Sequence, residues 1–323
     1  MEIEVRKPGL STTIQDLGRE GYYHVGIPPS GALDQFSLIA ANLLVGNLER
    51  AAGLECAYMG PELVFSGPAT LAVTGAQIEA RVNDEARPGW TSFGVDAGDV
   101  VTFGHLKGGT RLYIAVSGGI DVPETLGSRS TYALGALGGL HGRPLQGGDE
   151  LPVGSDAAAS TRERSVPDEL RPALPEELEI RVIMGLYDHL LTDRGRSTFL
   201  ETTWKLTPVA DRVGFRYKGE KLEMLEREQP FGAGSDPSNI VDAPYPVGSI
   251  QAPGGVEPIV LHRDAVSGGG YAMIATVISA DMDTVAQSAP GSQTRFSPVD
   301  LDEALTARRE RNEALQQLRA ALS

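Results

Sequence analysis

Asp16 and Arg19 stand three residues apart in a stretch, 11–47, that also carries a Gly/Pro/Ser loop at 26–31, a carboxylate at Asp34 and an apolar-striped segment. A carboxylate, a guanidinium and a loop leading into a helix start are the equipment for holding small anions or carbonyl groups. Asp34 has two compatible uses. It can accept hydrogen bonds from the first N–H groups of the helix, worth about 1 kcal/mol, and it can face Pro28-Pro29-Ser30-Gly31 to hold or deprotonate a bound group. Three further clusters carry polar chemistry: Asp211-Arg212-Val213-Gly214, Gly248-Ser249-Ile250-Gln251, and Asp264 to Tyr271 with its three glycines. For Arg212 a structural ion pair and a substrate clamp are both open. For Gln251 the alternative is a hydrogen bond to a neighbouring loop. The glycines at 268–270 admit close approach of a ligand or of another strand.

Several chemistries are excluded by residue type. The five histidines, His24, His105, His141, His189 and His262, lack metal-ligand spacing, so no metal site is expected. Cys56 is the only cysteine, so intramolecular disulfides and thiolate clusters are out, and its neighbours suggest a buried, inert thiol on a strand. The chain has no Gly-x-Ser-x-Gly elbow and no dinucleotide fingerprint, and the glycines near 127–131 are not followed by the Lys-Ser or Lys-Thr of a P-loop. No lysine sits in a biotin-attachment setting. What is left is positioning by Asp, Arg, Ser, Asn and Gln side chains and backbone amides, suited to amides, carboxylates and phosphates. A formal net charge of -15 with no basic cluster argues against nucleic acid as a partner. The start MEIEVRKPGL lacks the apolar core of a signal peptide, and no run approaches the roughly 18 apolar residues of a membrane span. A cytoplasmic protein without a membrane partner is expected.

The elements that must position these groups are mostly short strands. With 323 residues, 41% of them hydrophobic, the chain can bury a large core, and 39 glycines and 21 prolines favour a turn-rich β protein. Strands are predicted at 1–5, 62–65, 69–74, 78–82, 100–103, 112–117 and 145–153, and again at 178–184, 205–209, 247–252, 258–262 and 272–279. Many short strands with even turns suggest a barrel or sandwich. Phe36, Ile39, Ala40, Leu43 and Leu44 make one helical stripe ended by Gly46 and Asn47, and a second helix is predicted over 298–322. Residues 155–176 lose periodicity and fill with charge, Ala, Ser and Pro, as a linker does. The echo of Ala115-Val116-Ser117-Gly118-Gly119 in Ala265-Val266-Ser267-Gly268-Gly269 hints at two related modules. The division read from this is an N-terminal domain over 1–160, a linker over 161–176 and a C-terminal domain over 177–323.

Taken together the motifs resemble the allophanate hydrolase subunit 2, or KipA-like, family, which includes the C component of bacterial 5-oxoprolinase and part of the carboxyltransferase domain of urea amidolyase. The resemblance rests on Thr13-Ile14-Gln15-Asp16-Leu17-Gly18-Arg19, Ser30-Gly31-Ala32-Leu33-Asp34, Ala41-Asn42-Leu43-Leu44-Val45-Gly46-Asn47 and Leu54-Glu55. It continues through Leu126-Gly127-Ser128-Arg129-Ser130-Thr131, Asp211-Arg212 with Gly214, Ile250-Gln251 and Gly269-Gly270-Tyr271. It implies a mainly β fold of two linked cyclophilin-like β-barrels plus a C-terminal helix.

The implied activity is that of a C-type component of an ATP-dependent 5-oxoprolinase, working with a KipI-like B component and an A component on a small amide or carboxylate substrate. ATP belongs to the complex, and biotin is not attached to this chain. The alternatives are a biotin-dependent carboxyltransferase for urea or a related amide, and a regulatory protein that binds a KipI-like kinase inhibitor. On this reading the residues expected to be catalytic are Asp34, Gln251 and Arg212, and those expected to contact substrate are Asp16, Arg19, Ser30, Asn42, Arg129, Ser130, Asp264 and Tyr271. Where the family commonly shows Gly-Pro-Gln this chain has Gly185-Leu186-Tyr187, and it places Val266-Ser267-Gly268 where an amide and two hydroxyls are usual.

Overall fold

A computed structural model describes residues 1–155 and 163–323. The chain divides into two compact units: Met1–Arg19, Ser30–Leu174 and Asn312–Ser323 form unit 1, and Glu20–Pro29 with Pro175–Arg311 form unit 2. Of the expected linker, residues 161–162 lie outside the described residues. Its continuation to Leu174 belongs to unit 1, where Arg164 O accepts from Ser92 N (2.8 Å) and Val166 N donates to Trp90 O (2.9 Å), and its last two residues belong to unit 2.

Unit 1 is built from a six-stranded and a five-stranded sheet. The six-stranded sheet runs Asp149–Pro152, Glu2–Lys7, Glu62–Phe65, Val100–Phe103, Ala80–Val82, Glu85–Arg87. The strand Glu2–Lys7 alternates as a half-buried strand should: Ile3 and Val5 point into the core and Glu2, Glu4 and Arg6 point to solvent. The five-stranded sheet runs Ser11–Gln15, Gly53–Ala57, Lys107–Val116, Ala69–Gln77, Ser92–Val95. Its inner face, with Ile14, Leu54, Cys56, Leu71, Val73, Leu112 and Ile114, shares one core with the six-stranded sheet.

The outer face of the five-stranded sheet is also covered. Helix α1 (Gln35–Leu44) lays Phe36, Ile39, Ala40 and Leu44 on Ala72, Tyr113 and Ala115, and Leu315, Leu318 and Leu322 from the C-terminal helix join that cluster. Burial on two sides explains why eight of the nine residues of Ala69–Gln77 are buried. Gly31, with φ +85°, enters this layer so closely that a Cβ there would lie 2.7 Å from Gly18 N.

Unit 2 centres on a closed barrel. Its strands, in order around the ring, are Glu177–Met184, Met273–Val277, Ser249–Gln251, Ile259–Leu261, Gly214–Lys218, Trp204–Ala210 and Gln293–Pro298, the last pairing in parallel with the first. Trp204, Phe215, Tyr217 and Phe296 fill it with Ile180, Val182 and Ile274, and Phe199 of α2 (Asp193–Glu201) stacks on Phe296 at 5.1 Å. Met282 and Val285 of α3 (Met282–Gln287) complete this core. A separate two-stranded ribbon pairs Asn239–Pro244 with Gly268–Tyr271. The glycine triplet is therefore strand, and its lack of side chains has a local reason: a Cβ on Gly269 would meet the Tyr245 ring at 3.0 Å. The last helix is α4 (Leu301–Leu322).

The mainly β character, the few helices and the terminal helix agree with the sequence reading, and one unit holds a closed seven-stranded barrel. Among the described residues no helix is long and apolar enough to cross a membrane.

Candidate functional site

In unit 1 Asp16 is the hub of a buried knot. Its Oδ1 accepts from Gly18 N (2.7 Å), Ser128 Oγ (2.6 Å) and Ser130 Oγ, and its Oδ2 accepts from Arg129 N (2.7 Å). Ser130 Oγ accepts in return from Asp16 N at 3.0 Å. Arg19, 2% exposed, donates to the carbonyls of Ser130 and Thr125. Gln15 extends the knot, taking Gly31 N on its Oε1 (3.1 Å) and donating to Thr131 O (3.1 Å). Two loops more than a hundred residues apart in sequence are thus tied through one carboxylate, and Ser30 and Gly31 run alongside. Arg129 points elsewhere: its guanidinium binds Val122 O, Glu124 and Asp121, each at 2.8–2.9 Å. Asn42 is remote from the knot in its bonding, holding Glu49 O and Ala51 O and accepting from Asn47.

Asp34 caps α1, accepting from Ser37 N (2.9 Å) and Ser37 Oγ (2.6 Å). Its own N–H donates to the Tyr113 hydroxyl (2.8 Å), which donates to Glu55 Oε2 (2.8 Å), and Glu55 Oε2 also accepts from Leu33 N. Arg111 lies 4.0 Å from the other Glu55 oxygen. Strand register builds this row: Thr13 faces Glu55, Glu55 faces Tyr113, and Tyr113 faces Thr74, which donates to Ser37 O. Burial, reinforced by the negative charges of Glu55 and Asp34, holds the Tyr113 phenol well above its ordinary value, so it acts as a neutral donor and not as a base. Burial also pushes the Cys56 thiol up to about 12, which agrees with an inert cysteine.

Tyr113 and Arg111 have no role in the sequence reading, and Glu55 enters it only through the Leu54-Glu55 motif. The signal that could have found them is a charged residue set inside otherwise apolar strand runs, Leu54-Glu55-Cys56 and Arg111-Leu112-Tyr113-Ile114. Tyr113→Phe is expected to cost about 1–3 kcal/mol, because it strips Glu55 and the Asp34 N–H of a buried partner together. Equilibrium unfolding in urea reads it directly; a loss under about 0.5 kcal/mol would refute this role for the phenol.

In unit 2 Arg212 and Asp264 form a two-point pair, Nε to Oδ2 at 2.7 Å and Nη2 to Oδ1 at 3.1 Å. Asp264 N also donates to Arg212 O, so both backbone and side chain fix the guanidinium plane. Asp211 turns the chain beneath it by accepting from Val213 N and Gly214 N. Gln251, buried on its strand, lies near the Tyr245 hydroxyl, which donates to Tyr271 O (2.7 Å) and accepts from Tyr271 N (2.8 Å). Burial raises the Tyr245 phenol, which keeps it a neutral donor. Val213, Tyr245 and Ala265 pack in one cluster, so the Arg212–Asp264 pair and the Gln251–Tyr245–Tyr271 group share a scaffold. The Tyr271 ring itself is exposed.

Three more polar residues flank this group and are absent from the sequence reading. Arg263 reaches Glu20 at 3.4 Å, and the Tyr23 phenol is pushed up to about 12 by burial against the pull of Arg263. The segment Glu20–Pro29 that brings Glu20 and Tyr23 is counted with unit 2 although it interrupts unit 1 in sequence. Unit 2 thereby offers an oriented guanidinium, a buried carboxamide and phenolic donors, groups whose chemistry suits hydrogen bonding to carboxylates and amides. Among the described residues no three His, Cys, Asp or Glu side chains cluster as metal ligands.

These features can be set beside known proteins. The family described as "Carboxyltransferase domain, subdomain A and B" matches residues 25–298. The chain is 36% identical over 318 residues to the C component of 5-oxoprolinase of Escherichia coli, covering 98% of this chain and 97% of that protein. It is 34% identical over 327 residues to the urea amidolyase of Lachancea kluyveri, covering 98% of this chain and 18% of that protein. The crystal structure of the K. lactis urea amidolyase superposes with a TM-score of 0.92 at 33% identity, over 98% of this chain and 20% of that one. This chain therefore spans less than a quarter of the urea amidolyases it matches, and nearly all of the bacterial 5-oxoprolinase component. It is homologous to enzyme components and enzyme domains, and it belongs to the family of the carboxyltransferase domain, subdomain A and B.

Proposed function

We propose that the chain is the C-type component of an ATP-dependent 5-oxoprolinase, which opens the cyclic amide of 5-oxoproline to glutamate in the cytoplasm together with a KipI-like B component and an A component. The observation that carries this reading is the end-to-end match to the E. coli protein, which leaves almost no part of either chain uncovered. The two units, in this reading, are both of the cyclophilin-like type. The reaction breaks the ring C–N bond and adds water across it, so the protein must hold a carboxylate and a planar amide. Arg212, oriented by Asp264, supplies a preset cation for the carboxylate, and Gln251, buried near Tyr245, supplies a carboxamide for the ring amide. Asp34 and the loop beside it are held in place by the Glu55–Tyr113 row. The hydroxyls of Ser128 and Ser130 are engaged by Asp16, which favours nucleotide binding by another chain of the complex over binding at the 127–131 loop.

The test is reconstitution: purified chain with the B and A components, and ATP hydrolysis followed as 5-oxoproline is added. Substrate-dependent ATP hydrolysis is expected only when all three are present. If completing the set with this chain gives no stimulation, the reading fails. A second reading, transfer of a carboxyl group from biotin to urea, is favoured by the TM-score of 0.92 to the K. lactis urea amidolyase. Urea-dependent consumption of carboxybiotin by the chain and its partner, without 5-oxoproline turnover, would select it.

A further inference from the structure

Arg263 of unit 2 is a largely buried guanidinium that meets a carboxylate standing in solvent. Its side chain is 12% exposed, while the Glu20 side chain whose Oε1 faces its Nη2 at 3.4 Å is 76% exposed. Charge-assisted N–H···O bonds run at about 2.7–2.9 Å, so this contact is loose. Arg212 and Asp264 make the opposite case in the same unit, with a carboxylate that is 6% exposed and a contact of 2.7 Å. A hydrated carboxylate gains little from a contact of that length, whereas the buried cation has already left water.

Backbone pairing brings a second cation to the same place. His262 N donates to Val213 O (2.8 Å) and Asp264 N donates to Arg212 O (2.9 Å), so Arg263 leaves the chain between two residues that are bonded to the Arg212 segment. The two guanidinium groups are close enough for the Arg212 charge to act on Arg263. Burial first, and then Arg212, hold the Arg263 guanidinium below its ordinary value, with Glu20 and the Tyr23 phenol acting against the shift. Two neighbouring like charges with little access to water favour an anion that can reach both. Glu20 meets that need from one side only loosely, and the Tyr23 phenol, pushed up to about 12, stands beside it as a neutral donor.

We propose that Glu20 is a place-holder: its carboxylate occupies Arg263 until a small carboxylic acid arrives, whose carboxylate then lies between Arg263 and Arg212 while Glu20 turns out into solvent. The identity of the acid, 5-oxoproline, rests on the reading given above, to which the exchange adds a second cation and an internal competitor. The two oxygens of a carboxylate match two guanidinium forks, and Asp264 keeps the Arg212 fork in plane throughout. Exchange of one carboxylate for another leaves the charge of the cluster unchanged, so ligand entry does not leave a buried cation exposed to its neighbour.

The assigned ¹⁵N–¹H signal of Arg263 Nε in the intact chain, titrated with L-5-oxoproline, acetate, inorganic phosphate and 2-pyrrolidinone, tests this. Saturable shifts are expected with 5-oxoproline and, more weakly, with acetate, and none with 2-pyrrolidinone, which has no carboxylate. Glu20→Gln should tighten 5-oxoproline binding about two- to fivefold, the scale of losing one exposed ionic competitor. Glu20→Asp separates occupancy from charge: it keeps the charge on a side chain one methylene shorter, which falls short of Arg263, so it should bind as Glu20→Gln does. Arg263→Gln should weaken binding at least about tenfold; if that chain does not fold, the two variants at the exposed Glu20 decide the matter. Unchanged affinity in Glu20→Gln, wild-type affinity in Glu20→Asp, an equal response to 2-pyrrolidinone, tighter binding of phosphate than of 5-oxoproline, or no saturable shift with either carboxylate at millimolar concentration overturns the proposal. The titration contains neither ATP nor partner chains. A carboxylate response without turnover in the reconstituted complex would therefore remove the 5-oxoprolinase reading and keep the exchange, and turnover without a response at Arg263 would do the reverse.

Discussion

Replacing Asp16 with alanine is expected to lower the unfolding free energy of unit 1 by about 3–5 kcal/mol. The size follows from what the carboxylate holds. Four donors, from Gly18 N, Ser128 Oγ, Ser130 Oγ and Arg129 N, converge on a group that is 7% exposed. Arg19, also buried, is bonded to carbonyls of the same 125–130 loop, so releasing the loop also strips a guanidinium of its acceptors. Asp16→Asn keeps the shape and one acceptor oxygen but turns an NH2 group towards donors, so it should fall between wild type and alanine. The two tryptophans make the measurement local: Trp90 belongs to unit 1 and Trp204 to the barrel of unit 2. In Trp204→Phe and Trp90→Phe backgrounds, urea unfolding followed by fluorescence should place the loss in the Trp90 transition. A change below about 1 kcal/mol there would show that the knot is not a stability centre.

That knot also shows where the sequence is readable. Residue types are legible: Asp16, Arg19, Ser130 and Arg212 are polar groups in glycine-rich surroundings, and each sits in a bonded network. Partners are not, because the Asp16–Ser130 contact spans 114 positions and the Arg212–Asp264 contact 52, and no local pattern encodes a pairing that distant sheets create. Elements follow the same division. The strands Glu62–Phe65 and Val100–Phe103 begin and end where their turn residues place them, and α1 follows its apolar stripe from the Asp34 cap.

Ser11–Gln15 is absent from the strands predicted from the sequence, since burial of four of its five residues erases the two-residue alternation that marks a strand. Gly268–Tyr271 lacks strand propensity, and its pairing is imposed by the ribbon partner and the Tyr245 ring. Helix α2 is hidden in the sequence because Gly195 interrupts it; the glycine is there because the backbone of Glu223 fills the space a Cβ would need. The assignment of Glu20–Pro29 to unit 2 and of Asn312–Ser323 to unit 1 departs from chain order, which no composition shift announces.

In the reconstituted complex, Arg212→Ala is expected to reduce kcat/KM for 5-oxoproline by about 100- to 1,000-fold, the effect of removing one partner from a desolvated charge pair. Arg212→Lys should restore little, because a point charge cannot reproduce the two-point contact with Asp264 or present a fixed planar fork. Asp264→Asn should cost less, about tenfold and mainly in KM, since it leaves the cation in place and loosens only its orientation. Loss of fold alone could mimic the first result, so the decisive comparison uses 2-pyrrolidinone, the same lactam without the carboxylate. If Arg212 holds that carboxylate, wild type and Arg212→Ala should turn over 2-pyrrolidinone at rates within about twofold of each other, because the side chain has nothing to bind in either case. An equal fall with both lactams would mean that Arg212 supports the barrel rather than the substrate, and the Trp204 unfolding transition should then shift by the same mutation.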